Sequence, residues 1–180
     1  MITIRKATKA DAELIARGFL TAMWVEADEA ERILPMCIAL AEMDNSLYSW
    51  RHSHIAQWDG VDAGVLIAYD GSVYHDAAQL TFSFVKEQSG KDFTNMTEEA
   101  EPGEWYLDTL AVFPHFRRKG IAKVLLKKGI ALSRECPATR CATLYVDPEH
   151  PWVVKLYDSV GFKPDGEAFI FGQNYLKMKC

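Results

Sequence analysis

The 180-residue chain has little cysteine and none of it is patterned. Cys37, Cys136, Cys141 and Cys180 form no Cys-x-x-Cys pair. A disulfide framework and a zinc ribbon are therefore not expected, and the thiols read as small hydrophobes. No run of about 18 apolar residues could cross a bilayer, and the opening MITIRKATKADAELIARGF has no apolar stretch of signal-peptide length. These absences predict a soluble, cytoplasmic protein with no membrane partner. His52 and His54 alternate along one strand, but no third residue stands at ligand spacing, so no metal site is expected.

Acid is missing from one stretch. Residues 113–134 hold seven bases (Arg117, Arg118, Lys119, Lys123, Lys127, Lys128 and Arg134) and no Asp or Glu, in a chain of net charge −5. An extended nucleic-acid footprint needs basic surface over more than one helix start, and the acidic remainder would repel it. Nucleic acid is therefore not an expected partner. A compact anionic ligand fits this distribution better. The acidic excess of the first hundred residues, 16 acids against 8 bases, suggests a cationic partner there.

With 49% hydrophobic and 25% charged residues the composition is globular, and the length predicts one domain over residues 1–180. ITIRKAT alternates as a strand, and Thr8 with Asp11 marks a helix start before AELIARGFL. WVEADEAERILPMCIALAEM reads as helix, bent or broken at Pro35. YSWRHSHIAQW and GVLIAY read as strands joined by a hairpin at DGVDA. DAAQLTFSFVKEQ is given to helix and SGKDFTNMTEEAEPGE to loop. WYLDTLAV is a strand, KGIAKVLLKKGIALSRE an amphipathic helix, CATLYVD a strand and PWVVKLYDSV a short helix stopped by Gly161. EAFIFGQ and NYLKMKC close the chain as strands. This order predicts an α/β (α+β) domain with a mixed sheet and helices on both faces.

The basic stretch falls where strand WYLDTLAV turns through FPHFRRKG into a helix. The first turn of a helix offers free N–H groups and the positive end of the dipole, which suits phosphate. The Gly-x-Gly-x-x-Gly and Gly-x-x-x-x-Gly-Lys-Ser/Thr fingerprints are both missing. What is present is Arg117, Gly120 and Ala122 in the pattern Arg-x-x-Gly-x-Ala. About forty residues on, LYVDPEHPWVVKLYDSVGF ends in Leu156, Tyr157, Gly161 and Phe162.

Together these stretches resemble the GNAT N-acetyltransferase family: the Arg/Gln-x-x-Gly-x-Gly/Ala signature, the Leu-Ala-Val at the preceding strand end, and a later helix ending Leu-Tyr-x-x-x-Gly-Phe. The resemblance is close over residues 104–163 and looser over the whole chain. It implies a single-domain, mostly antiparallel sheet flanked by helices with splayed central strands. It implies acetyl-CoA as cofactor, direct acetyl transfer to a primary amine on a small molecule, lysine or N-terminus, and a possible homodimer. A non-catalytic acyl-CoA-binding sensor or interaction module is the alternative. The resemblance assigns cofactor contacts to Leu110, Ala111 and Val112 on the strand and to Arg117, Arg118, Lys119, Gly120, Ile121 and Ala122 in the loop and helix. His150 stands where the family often has Asn, and Val153 where it has Ala. Tyr157 is the candidate acid, and a backbone N–H near Val112 the oxyanion donor. Asp108 is the candidate base, with Glu104, an even number of residues away, as the second. Met23 and Trp24 fall in the region that forms the acceptor wall.

Overall fold

A computed structural model describes residues 1–180. The chain runs β1 (Ile2–Lys6), α1 (Ala12–Ala22), α2 (Ala27–Glu42), β2 (Ser53–Trp58), β3 (Val61–Asp70), α3 (Tyr74–Ser89), β4 (Glu104–Val112), α4 (Ile121–Glu135), β5 (Cys141–Val146), α5 (Pro151–Asp158), β6 (Lys163–Ile170) and β7 (Gln173–Lys179). The seven strands form one sheet in the order β1-β2-β3-β4-β5-β7-β6. Every neighbouring pair is antiparallel except β4 with β5.

Alternation along β3 sets up a two-sided core. Val65, Ile67 and Tyr69 face a cluster with Ile15, Leu47 and Phe82, under α1 and α3. Leu66 and Ala68 face the opposite cluster, with Leu125 and Leu126 of α4 and Phe162 beyond α5. The β2–β3 hairpin turns on Asp59 and Gly60, both at positive φ (49° and 83°), as a two-residue hairpin requires.

Two local expectations are corrected. α2 runs unbroken through Pro35. Pro35 lies on the exposed side, opposite buried Leu34, Cys37 and Leu40, so the carbonyl it leaves unpaired faces water. The strand expected from Tyr48 begins only at Ser53, because Trp50–His52 form a short turn in which Ser49 Oγ accepts from the Arg51 N–H at 3.1 Å.

Two irregularities in the sheet prepare the site. β4 pairs with β5 only at Glu104–Cys141, Trp105–Ala142 and Tyr106–Thr143. Beyond Tyr106 the strands part and a cleft opens. On its other side β4 has a bulge: Ile67 pairs with Thr109 and Ala68 with Leu107, which leaves Asp108 as the extra residue. Trp105 and Leu107 pack on the same cluster as Leu110 and Val112, so the side-chain alternation reverses across Asp108.

Candidate active site

The loop between β4 and α4 presents a row of backbone donors. Gly120 caps α4 at φ 83°, and Arg118 is also left-handed at φ 63°. The six N–H groups from Arg118 to Lys123 make no hydrogen bond within the protein, and Val124 is the first to bond back, to the Gly120 carbonyl at 3.3 Å. Nothing lies within 4 Å of the place a side chain would start at Gly120, so the row is open to a ligand. Free N–H groups at a helix start, with the dipole behind them and Arg117 and Arg118 beside them, make an anion cradle.

The cradle leads onto the free edge of β4. The Phe113 N–H bonds to the Ala63 carbonyl at 3.0 Å. Antiparallel ladders alternate, so the N–H groups of Val112 and Leu110 point away from β3, toward the opening between β4 and β5. The Val112 carbonyl on that side accepts from Arg117 Nε at 3.2 Å, which pins the loop to the strand end. β3 can press close here because residue 64 is glycine; a Cβ at Gly64 would stand 2.5 Å from the Ala111 carbonyl oxygen.

Two cavities meet at this edge. One, of about 530 Å³, is bounded by Val112, Arg117, Gly120, Ala122 and Leu156. The other, of about 480 Å³, extends to the far side of the splay past Asp108, Glu99, Tyr106, Tyr145 and Tyr175. They share Ala22, Trp24, Leu110, Val153 and Tyr157. Tyr157 is 9% exposed and its hydroxyl makes no hydrogen bond within the protein. Burial pushes its pKa up to about 12, so it stays protonated at neutral pH.

The second cavity holds two half-buried carboxylates with no cationic partner. Asp108 accepts from the Tyr69 hydroxyl at 2.6 Å and the Thr109 hydroxyl at 2.9 Å. Glu99 accepts from the hydroxyls of Tyr106 and Tyr74. Burial raises both, and the Asp108 charge adds to the rise at Glu99. The hydrogen bonds oppose the rise, and the pair titrates at about 6 and about 7. One carboxylate of such a pair can carry negative charge at neutral pH and still take a proton.

A family model described as the acetyltransferase (GNAT) family matches residues 21–162. This chain belongs to the GNAT acetyltransferase family. Among solved structures, an N-acetyltransferase from Staphylococcus aureus Mu50 superposes with a TM-score of 0.81 at 22% identity, over 99% of this chain and all of that one. A second acetyltransferase superposes with a TM-score of 0.73 at 26% identity, over 98% and 97%. The protein yncA from Salmonella typhimurium, solved with its cofactor acetyl-CoA, superposes at 0.59 with 18% identity, over 100% and 93%. No curated protein matches the sequence significantly.

The GNAT fold gathers most of the residues singled out from the sequence. Leu110, Ala111, Val112, Arg117, Arg118, Gly120, Ile121, Ala122 and Tyr157 all line the cavity beside the cradle. Lys119 does not. Its ammonium lies over the rings of Trp58 (4.8 Å) and Phe116 (5.6 Å), and only its backbone faces the cradle. His150 lines the second cavity instead, held there by Asp147 (3.2 Å) and stacked on Trp24 at 5.4 Å. Trp24 also carries the Arg117 guanidinium 5.7 Å from its ring and is itself at φ 53°, so it stands between the two cavities.

Glu104 is corrected. It lies outside both cavities, where β4 and β5 are still paired, and its carboxylate is bound by Lys177 at 2.6 Å. Even spacing fails as a guide because the cleft opens only beyond Tyr106. Sequence reasoning misses Glu99. It sits in a polar stretch that reads as loop, and its neighbour Glu98 is an exposed partner of His75. Only the packing of that loop onto Tyr74 and Tyr106 separates the two glutamates.

Proposed function

We propose that this GNAT protein is an acetyl-CoA-dependent N-acetyltransferase that moves an acetyl group directly to a primary amine. The reading rests on one arrangement: an open row of N–H donors and a half-buried Asp108 without a cationic partner lie on opposite sides of a shared wall that carries the free Tyr157 hydroxyl. The row fits a pyrophosphate, which needs several converging donors and a glycine-sized approach. When bound, acetyl-CoA supplies an acetyl thioester, which an amine takes with release of the thiol.

Each remaining task has a residue. The backbone of Arg118–Ala122, with Arg117, holds the phosphates. The Val112 N–H polarises the acyl oxygen; one such donor is worth about 3 kcal/mol of barrier. Asp108 takes the proton of the incoming ammonium. An ordinary carboxylate near 4 lies about six pH units below an ammonium near 10. At about 6 Asp108 narrows the gap to about four. Tyr157 returns a proton to the leaving sulfur. No cysteine lines either cavity, which favours direct transfer over a thiol-bound acetyl group.

The deciding experiment is a spectrophotometric thiol-release assay with acetyl-CoA across amines, amino acids and peptides. Amine-dependent thiol release is expected. Tight coenzyme A binding without turnover on any amine would replace this reading with an acyl-CoA-binding module.

A further inference from the structure

The cavity beyond Tyr157 carries three acidic side chains, Glu99, Asp108 and Asp147, and no lysine or arginine. Asp147 is answered by His150 and by the Glu149 N–H at 2.8 Å. Glu99 and Asp108 are answered by tyrosine and threonine hydroxyls alone. Carboxylates half-withdrawn from water without a cation are costly, and hydroxyl donors offset only part of that cost. A cation brought by a ligand would complete both.

The walls favour the same kind of guest. Tyr106, Tyr145, Tyr175 and Trp24 present aromatic surface to the space, and aromatic faces attract ammonium groups. The rim of the cavity is built of parts that are tied together. Phe171, at the tip of the β6–β7 hairpin, meets Phe93 of the 90–103 loop at 5.6 Å, and Phe93 meets Phe82 of α3 at 6.2 Å. The same loop is pressed onto Gly71, where an added Cβ would stand 2.2 Å from the Glu101 carbonyl oxygen. A volume of about 480 Å³ suits a small ligand. Tyr157, a buried residue whose hydroxyl reaches the cavity without a partner in the protein, marks the end where transfer occurs.

We infer that the acceptor is a small aliphatic diamine or polyamine, whose reacting nitrogen meets Asp108 while its second, cationic nitrogen is held by Glu99 and the surrounding tyrosines. This rests on the acetyltransferase reading above. Two carboxylates on one aromatic cavity select for two positive charges on one ligand; a monoamine satisfies only one, and an amino acid brings a carboxylate against them. The transfer leaves the bound product with one charge in place of two, which also favours its release.

The test compares the diamine cadaverine, the equally long monoamine hexylamine, the zwitterion aminohexanoate and a short peptide with a free N-terminus in the thiol-release assay. The expected result is a kcat/KM for cadaverine about ten- to a hundredfold above each of the others, as a charged hydrogen-bond partner warrants. Glu99→Gln should collapse that preference, mainly through KM. Equal use of hexylamine, better use of the peptide, or a preference unchanged in Glu99→Gln would overturn the inference while leaving acetyl transfer established. If no amine releases thiol, calorimetry of cadaverine binding decides. Binding weakened in Glu99→Gln upholds the dication site without the transfer, and absent binding removes both.

Discussion

The Tyr69 hydroxyl donates to Asp108 Oδ2 at 2.6 Å, and Asp108 is the residue by which β4 outruns β3. A bulge residue has no partner across the ladder, so its side chain is free to be aimed by something else. Here a buried tyrosine of the neighbouring strand aims it into the cavity beyond Tyr157.

Asp108→Asn should lower kcat/KM for the amine by about a hundredfold or more while coenzyme A affinity, read by calorimetry, stays near the parent. Tyr69 stabilises the charged carboxylate. Tyr69→Phe should therefore move the acidic limb of the pH–rate profile, expected at about 6, to higher pH. Glu104→Gln should leave the limb in place, since Glu104 belongs to the Lys177 pair. A limb unmoved in Tyr69→Phe counts against Asp108 as the base.

The carboxylate pair also makes a stability prediction. Both groups have folded-state values above their ordinary ones, so the folded protein binds their protons more tightly. Their contribution is fully present below about 4 and is lost as pH rises through about 6 to 7. At about pH 8 Asp108→Asn should therefore unfold at a higher temperature than the parent, by a few degrees, for about 1–2 kcal/mol. Below about pH 4 the difference should vanish. Thermal melts across this range decide it.

Tyr157→Phe removes a hydroxyl that has no partner in the protein. Packing is kept, so the thermal midpoint should match the parent. Loss of a general acid costs about a hundredfold to ten-thousandfold in rate, and kcat should fall by at least about fiftyfold with acetyl-CoA affinity unchanged. Turnover at the parental rate would leave thiolate protonation to solvent.

Gly120→Asp places a negative charge on the open row of donors and an L side chain at φ 83°. Coenzyme A affinity should drop at least about a hundredfold, equivalent to about 3 kcal/mol. Gly120→Asn tolerates positive φ comparatively well and adds no charge. It should retain more affinity than the aspartate, which separates the electrostatic loss from the conformational one in a single calorimetric series.

Gly64→Ala forces a methyl group to 2.5 Å from the Ala111 carbonyl, one residue from the Val112 donor. Neither strand can yield without shifting the other. A loss of about 2 kcal/mol, or about 5 °C, is expected in thermal melts, together with a fall in kcat. A parental kcat in the folded variant would mean that the Val112 donor tolerates the shift.

Local chemistry makes the order of elements and the anion cradle legible in the sequence itself. Arg117, Gly120 and Ala122 are legible through their resemblance to the family signature together with the later motif, and an anion fits there because a helix start supplies its own donors and a glycine its own clearance. Tyr157 is legible through the same resemblance, in a helix α5 that begins at Pro151 and ends before Gly161 as the sequence predicts. The point at which β4 parts from β5, the bulge at Asp108 and the tyrosine contacts of Glu99 are decided only in three dimensions. Each depends on partners far along the chain: Asp108 on Tyr69, Glu99 on Tyr74 and Tyr106, Glu104 on Lys177. Periodicity reports which way a side chain points within its own element. Whether a carboxylate there meets a lysine, a tyrosine or an empty cavity is set by the strand or loop that tertiary packing brings against it, and that choice separates Asp108 and Glu99 from Glu104.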